Sequence, residues 1–115
     1  MSLAETILAT SDLKEEEITI EKWGGDFLVR ELTAGQRERF EQLYVEQGSV
    51  DVKDLRASFI VDCFFTLEGK KIFDESHIEG LSKKSASIID QIFDVCRRLS
   101  GIGDFEEQME KAEGN

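Results

Sequence analysis

The stretch ITIEKWGGDFLVREL, residues 18 to 32, constrains the fold of this chain more than any other. Ile18 and Ile20 face one way and Thr19 and Glu21 the other, which is the period of a strand. Gly24 and Gly25 supply the positive backbone angles that a tight hairpin turn requires. In the return segment Phe27, Val29 and Glu31 share one face, while Leu28, Arg30 and Leu32 share the other. Apolar groups on both faces predict that both are covered. Two strands do not hold together in water unaided, so the hairpin must lean on something else in the chain.

The rest of the sequence reads as helices. Ser2 can start a short one, with Leu3, Ile7 and Leu8 along one side, and its small and β-branched residues make it weak unless it docks. Thr33 followed by Gln36 is a capping box, which opens a helix expected to run to about Gln47, with Phe40, Leu43 and Tyr44 inward and Gly48 at its end. Asp51 is placed to cap the next helix. There Val52, Leu55, Phe59, Ile60, Cys63 and Phe64 recur at three- and four-residue intervals, and so wide a stripe predicts a central position. LEGKKIF reads as a turn around Gly69 with a residue or two of extended chain on either side. Asp74 caps a single turn closed by Gly80, onto which Leu81 can fold back. Ser82 is read as the start of the last helix, whose apolar residues Ile88, Ile89, Ile92, Phe93, Val95, Cys96 and Leu99 must meet the stripe of the central helix, and Gly101 stops it.

These elements predict an α+β fold, mainly helical, with four to five short helices and one N-terminal β-hairpin. The chain of 115 residues has room for one domain. At this size folding hides about two thirds of the surface of the unfolded chain, so a core can be stable without disulfides. A single domain is expected over residues 1–103, with its hairpin at 17–32. The charged tail at 104–115 has only Phe105 and Met109 to anchor it and is expected to be frayed or loosely helical.

Composition narrows the function. Acidic residues outnumber basic ones 25 to 14, a formal net charge of −11. Nucleic acid and anionic membranes both demand Lys and Arg, so neither is an expected partner. A basic or amphipathic protein suits the balance better, although an acid excess can also serve solubility alone. Cys63 and Cys96 lie among apolar residues at helical spacing and read as buried free thiols in a reducing compartment. With no basic-then-apolar N-terminus and no long apolar run, a soluble cytoplasmic protein is expected.

Candidates for chemistry are few. His77 is the only histidine and sits in a one-turn segment, where a solvated side chain or a helix-end contact is the expected role. One His and two distant Cys do not make a zinc ligand set. The Gly-Lys pair of LEGKK lacks the rest of a phosphate loop. The carboxylate runs KEEEI and DFEEQMEKAE lack the alternate-ligand pattern of a calcium loop. No catalytic residue, metal or cofactor is expected, and a protein that works by contact is the leading class. An exposed hairpin edge and apolar helix faces are the means of such contact. Candidate contact residues are Trp23, Phe27 and Val29 on the hairpin, Tyr44 on the helix after it, and Phe105 and Met109 in the tail. Trp23 can equally cap the core. Phe105 and Met109 can equally cover the end of the last helix.

The sequence also carries a resemblance. EEITIEKWGGDFLVRELTAGQRERFE, and later LEGKKIFDESHIEGLSKKSASIIDQIFDVCRRLSGI, resemble tail assembly chaperones of long-tailed phages and prophages. The resembling parts are an acidic residue before a Trp-Gly-Gly turn, a return strand ending Val-Arg-x-Leu-Thr, and an Arg-rich helix start. A Gly-Lys-x-Ile-Phe turn and the Leu-x-x-Lys-Ser-Ala sequence before the last helix complete the pattern, which runs from about Leu8 to Ile102. The resemblance implies a non-enzymatic chaperone that keeps the tape measure protein soluble and helps recruit tail tube subunits. It also implies self-association, residence in the host cytoplasm, and absence from the mature virion. The alternative from charge alone is an acidic adaptor or nucleic-acid mimic that blocks a basic DNA-binding protein. The interruptions KK, RR and RER rank that reading second.

Overall fold

The computed structural model describes residues 2–42 and 52–102. The order of elements is α1 (Leu3–Ala9), β1 (Glu15–Ile20), a 3-10 turn at Glu21–Trp23, β2 (Gly25–Arg30), α2 (Ala34–Glu41), α3 (Val52–Cys63), β3 (Phe64–Phe65), a 3-10 turn at Glu75–His77, α4 (Ile78–Leu81) and α5 (Ala86–Leu99). The fold is α+β and mainly helical, with the expected N-terminal hairpin.

The hairpin pairs Glu15 with Arg30 through to Ile20 with Gly25. Its loop is longer than a Gly-Gly turn: the 3-10 turn carries the chain over the top, Gly24 closes it at φ 94°, and Gly25 at φ 158° already belongs to β2. Both glycines have the positive φ read from the sequence. The alternation also holds, with Ile18, Ile20 and Val29 buried on one face.

The hairpin is not the whole sheet. Phe64 and Phe65 form β3, which pairs antiparallel with β2, so the strand order is β1-β2-β3. The sequence puts Phe64 in the central helix, because it stands four residues beyond Ile60 on the apolar stripe. In the structure α3 ends at Cys63, and the backbone of Phe64 pairs with that of Val29 instead. The turn after it matches expectation: Gly69 has φ 87°, and a bridge joins Phe65 to Lys71. On the sheet's outer face the Arg30 guanidinium lies 4.2 Å over the Phe65 ring. Leu32 does not join that outer face. Beyond β2 the chain turns inward, where Leu32 is buried and its N–H donates to Ser100 Oγ at 2.9 Å.

One hydrophobic cluster runs from Ile18, Ile20 and Val29 through α3 to Ile92, Phe93 and Cys96 on α5. Leu55, Ala57, Phe59, Ile60, Val61 and Cys63 are all buried, so α3 is enclosed on more than one side, as its wide stripe requires. Phe59 meets the Phe93 ring edge-to-face at 4.9 Å, which makes α3 against α5 the principal helix contact. Cys63 and Cys96 are both buried free thiols, and burial pushes the Cys63 thiol up, with Cys96 beside it adding to the effect.

Thr33 and Gln36 form the expected capping box of α2; the expected end of that helix near Gln47, and the Asp51 cap, lie outside the described residues. The last helix begins later than the sequence suggests. Ser82 ends α4, its hydroxyl donating to the Ile78 carbonyl, and Ser85 is the residue before α5. Gly80 lies inside α4 rather than closing it, while Leu81 is buried as expected. Gly101 stops α5 with φ 71°. At the other end Ser2 caps α1, yet Leu3, Ile7 and Leu8 are 75%, 58% and 84% exposed, so this helix does not bury the side expected to hold it.

These burials order the cost of truncation. Ile92→Ala, at 0% exposure, is expected to lower unfolding free energy by about 2–5 kcal/mol in urea denaturation. Leu8→Ala should change it by no more than about 0.5 kcal/mol.

Candidate functional site

Local chemistry builds one wall of an apolar surface groove. Asp74 accepts from the Ser76 N–H at 2.8 Å and from the Ser76 hydroxyl, while its own N–H donates to His77 Nδ1 at 3.0 Å. His77 therefore makes a helix-end contact, one of the two roles expected of it. The Ser76 hydroxyl, its N–H, and the nearby His77 and Lys71 all hold the Asp74 carboxyl below its ordinary value. This cap fixes the 3-10 turn and α4 against the loop carrying Ile72 and Phe73, and the Phe73 ring meets His77 edge-on at 5.6 Å.

Opposite that wall stands the tip of the hairpin. Trp23 meets Phe64 edge-to-face at 5.7 Å and Phe73 at 6.3 Å. Phe27 packs on Phe64 at 4.9 Å, and Phe64 stacks with Phe73 at 5.9 Å with 13° between the ring planes. Between the two walls lies a solvent-open groove of about 560 Å³. Trp23, Phe27 and Phe73 supply its aromatic surface and Ile72 its aliphatic surface, over a floor of the buried Phe64 and Leu81, and Lys22, Lys84, Ser76 and His77 form its polar edge. Among the described residues no carboxylate lines it. Its size is that of a pocket for a drug-sized ligand or a few side chains of a partner.

The groove unites two of the residues singled out from sequence. Trp23 meets the buried Phe64 ring, as a core cap does, and also lines the groove; Phe27 lies beside it. Val29 does not join them. It has 0% exposure, because its strand position points into the core between the hairpin and the helices, so it offers a partner nothing. Tyr44, Phe105 and Met109 lie outside the described residues. Sequence reading missed Phe64, Ile72, Phe73 and Lys84. Ile72 and Phe73, two large apolar residues directly after a Gly-Lys turn, were the available signal.

The sheet offers a second surface. β3 covers the outer side of β2, which leaves β1 as an edge. Glu31 N–H donates to the Lys14 carbonyl at 2.9 Å, and the antiparallel alternation from that pair turns the backbone groups of Glu15, Glu17 and Thr19 away from β2. Among the described residues no other backbone group pairs with them. Acidic side chains on such an edge discourage indiscriminate pairing.

Elsewhere three carboxylates are matched with arginines of other elements. Arg98 holds both oxygens of Glu16 at 2.9 and 3.0 Å, Arg39 meets Asp62 at 3.0 Å, and Arg56 meets Asp90 at 3.1 Å. Among the described residues no group of three or more His, Cys, Asp or Glu is arranged to hold a metal ion, and no helix is long and apolar enough to cross a membrane.

The Asp74 cap gives the groove wall a pH dependence. A carboxyl depressed in the folded state adds stability above its unfolded value, here 3.8, and loses it as the pH falls through the folded value. Amide protection factors, which remove the intrinsic slowing of exchange in acid, should therefore fall for residues 75–81 before those of α5 as the pH is lowered, and Asp74→Asn should remove most of this difference.

No protein-family model matches the chain, and no curated protein matches it. Among solved structures it is similar to one described as the structure of the bacteriophage HK97 tail assembly chaperone. The similarity has a TM-score of 0.61 at 14% identity and covers 85% of this chain and 98% of that one. At this identity the likeness is one of fold: the chain folds as that tail assembly chaperone does, over nearly all of the latter's length.

Proposed function

We propose that the protein is a tail assembly chaperone of a long-tailed phage or prophage. It keeps the tape measure protein soluble and helps recruit tail tube subunits during tail morphogenesis. It acts in the host cytoplasm as a homo-oligomer, is left out of the mature virion and catalyses no reaction. The observation that carries this reading is the shared fold, which runs through 98% of the HK97 chaperone's chain. The aromatic groove and the open β1 edge support it, because a keeper of unassembled chains needs apolar surface to grip them. The acid excess supports it too, since like charge keeps such complexes dispersed.

The nucleic-acid mimic gains no such support. A mimic presents carboxylates in a continuous field, and here Glu16, Asp62 and Asp90 are each matched by an arginine.

Co-expression with a tape measure protein from the same phage or prophage genome tests the proposal. The tape measure protein should move from the pellet to the soluble fraction and co-purify with this chain, and failure to do so would remove the reading. Self-association through β1 has its own test. Glu17→Pro deletes a backbone donor that points away from β2, a substitution that edge strands accept. Sedimentation should show smaller assemblies for this variant with the circular dichroism spectrum unchanged.

A further inference from the structure

The charge around the groove runs against that of the chain. With 25 acidic and 14 basic residues, a random surface patch is expected to be negative. The groove instead has Lys22 and Lys84 on its rim and, among the described residues, no carboxylate in its lining. Both lysines are exposed, and neither forms an ion pair with a described residue, which holds also for Lys14 and Lys70, whereas Lys71, Lys83 and all six described arginines reach carboxylates. Most described cations are thus matched by a carboxylate of the same chain, and the two on the groove are not.

We propose that this groove receives an apolar segment of a partner chain whose anchoring residues are flanked by carboxylates. Large aliphatic or aromatic anchors rest against Trp23, Phe27 and Phe73, and the flanking carboxylates meet Lys22 and Lys84. The lysines fix direction and choice of segment, because exposed charge pairs add selectivity and faster association more than raw affinity. An acidic chain repels other acidic segments in general, so a local pair of cations marks a place where such a segment can approach. The proposal deepens the reading above by giving the chaperone's client segment a chemistry.

Trp23 is the only tryptophan and lines the groove, so its emission reports occupancy directly. The probe is a Trp-free amphipathic peptide with leucine anchors flanked by glutamates; the control replaces each glutamate by lysine. The glutamate peptide should shift the Trp23 emission to shorter wavelength and saturate, with affinity that falls as salt rises. The lysine control, and the double variant Lys22→Glu/Lys84→Glu with the glutamate peptide, should each bind weaker by on the order of tenfold, the worth of two exposed charge pairs reversed in sign. Equal affinity for the two peptides, or an undiminished variant, would overturn the proposal. So would an emission shift that appears on concentrating the protein alone, which makes a second copy the occupant, or saturation by a simple apolar acid such as decanoate without any peptide binding. Co-expression separates the two readings. If wild type and the double variant keep the tape measure protein soluble equally well, the groove proposal fails and the chaperone reading stands. If wild type itself fails to do so, the chaperone reading falls and the peptide titration alone decides the groove.

Discussion

Phe64 is the joint on which the molecule turns. The helix α3 ends at Cys63 and the strand β3 starts at the next residue, so a buried helix and a sheet are coupled with no intervening loop. The Phe64 ring, 1% exposed, is touched by Trp23 and Phe27 from the hairpin and by Phe73 from the following loop. Each such ring pair adds about 0.5–1.5 kcal/mol beyond the area it buries. Their joint effect is to hold the hairpin, the helix layer and the groove in one register. The hairpin that two strands could not sustain leans on this third strand and on the helices behind it.

The close approach that makes this possible is supplied one residue earlier. Cys63 and Cys96 are fully buried neighbours, small enough for α3 and α5 to run near each other at the point where α3 hands over to the sheet. Farther from the sheet, Phe40, Phe59 and Phe93 continue the packing as a row of edge-to-face rings, at 4.2 Å and 4.9 Å. Substituting a larger side chain at Cys63 would push the two helices apart just where Phe64 must meet Val29.

Much of this was legible in the sequence, and the rest was hidden for identifiable reasons. Periods of two and of three to four residues revealed β1, β2, α3 and α5, because each buries one face against a common core and its pattern must follow its geometry. Thr33 with Gln36, Ser2 and Asp74 revealed helix starts, since their partners are only two or three residues away. Phe64 was not legible as a strand. Its spacing from Ile60 also suits a helix, and pairing with Val29, far away in the chain, decided between the two. Ser82 and Ser85 both suit a helix start, and only the closure of α4 on Ser82 distinguishes them. As for the groove, Trp23 and Phe27 could be suspected from bulk near a turn. Its other walls come from β3, the loop after it, α4 and the approach to α5, a long-range assembly that local pattern cannot reveal.

The ion pairs follow the same division between holding the fold and leaving a surface free. An exposed pair is worth only about 0.2–1 kcal/mol, so Arg98 with Glu16, tying α5 to β1, and Arg39 with Asp62, tying α2 to α3, matter more for placing elements than for total stability. Spending cations in this way leaves a large acid excess on the remaining surface. That excess gives the open groove its safety. Two copies that approach groove to groove bring their surplus negative charge together as well, and within roughly 8 Å at physiological salt the repulsion is felt. A segment with its own apolar anchors but little bulk of charge escapes most of that penalty. The aromatic surface can therefore stay uncovered in the free protein without driving indiscriminate aggregation, which is the physical condition for any protein that must wait with an apolar site exposed.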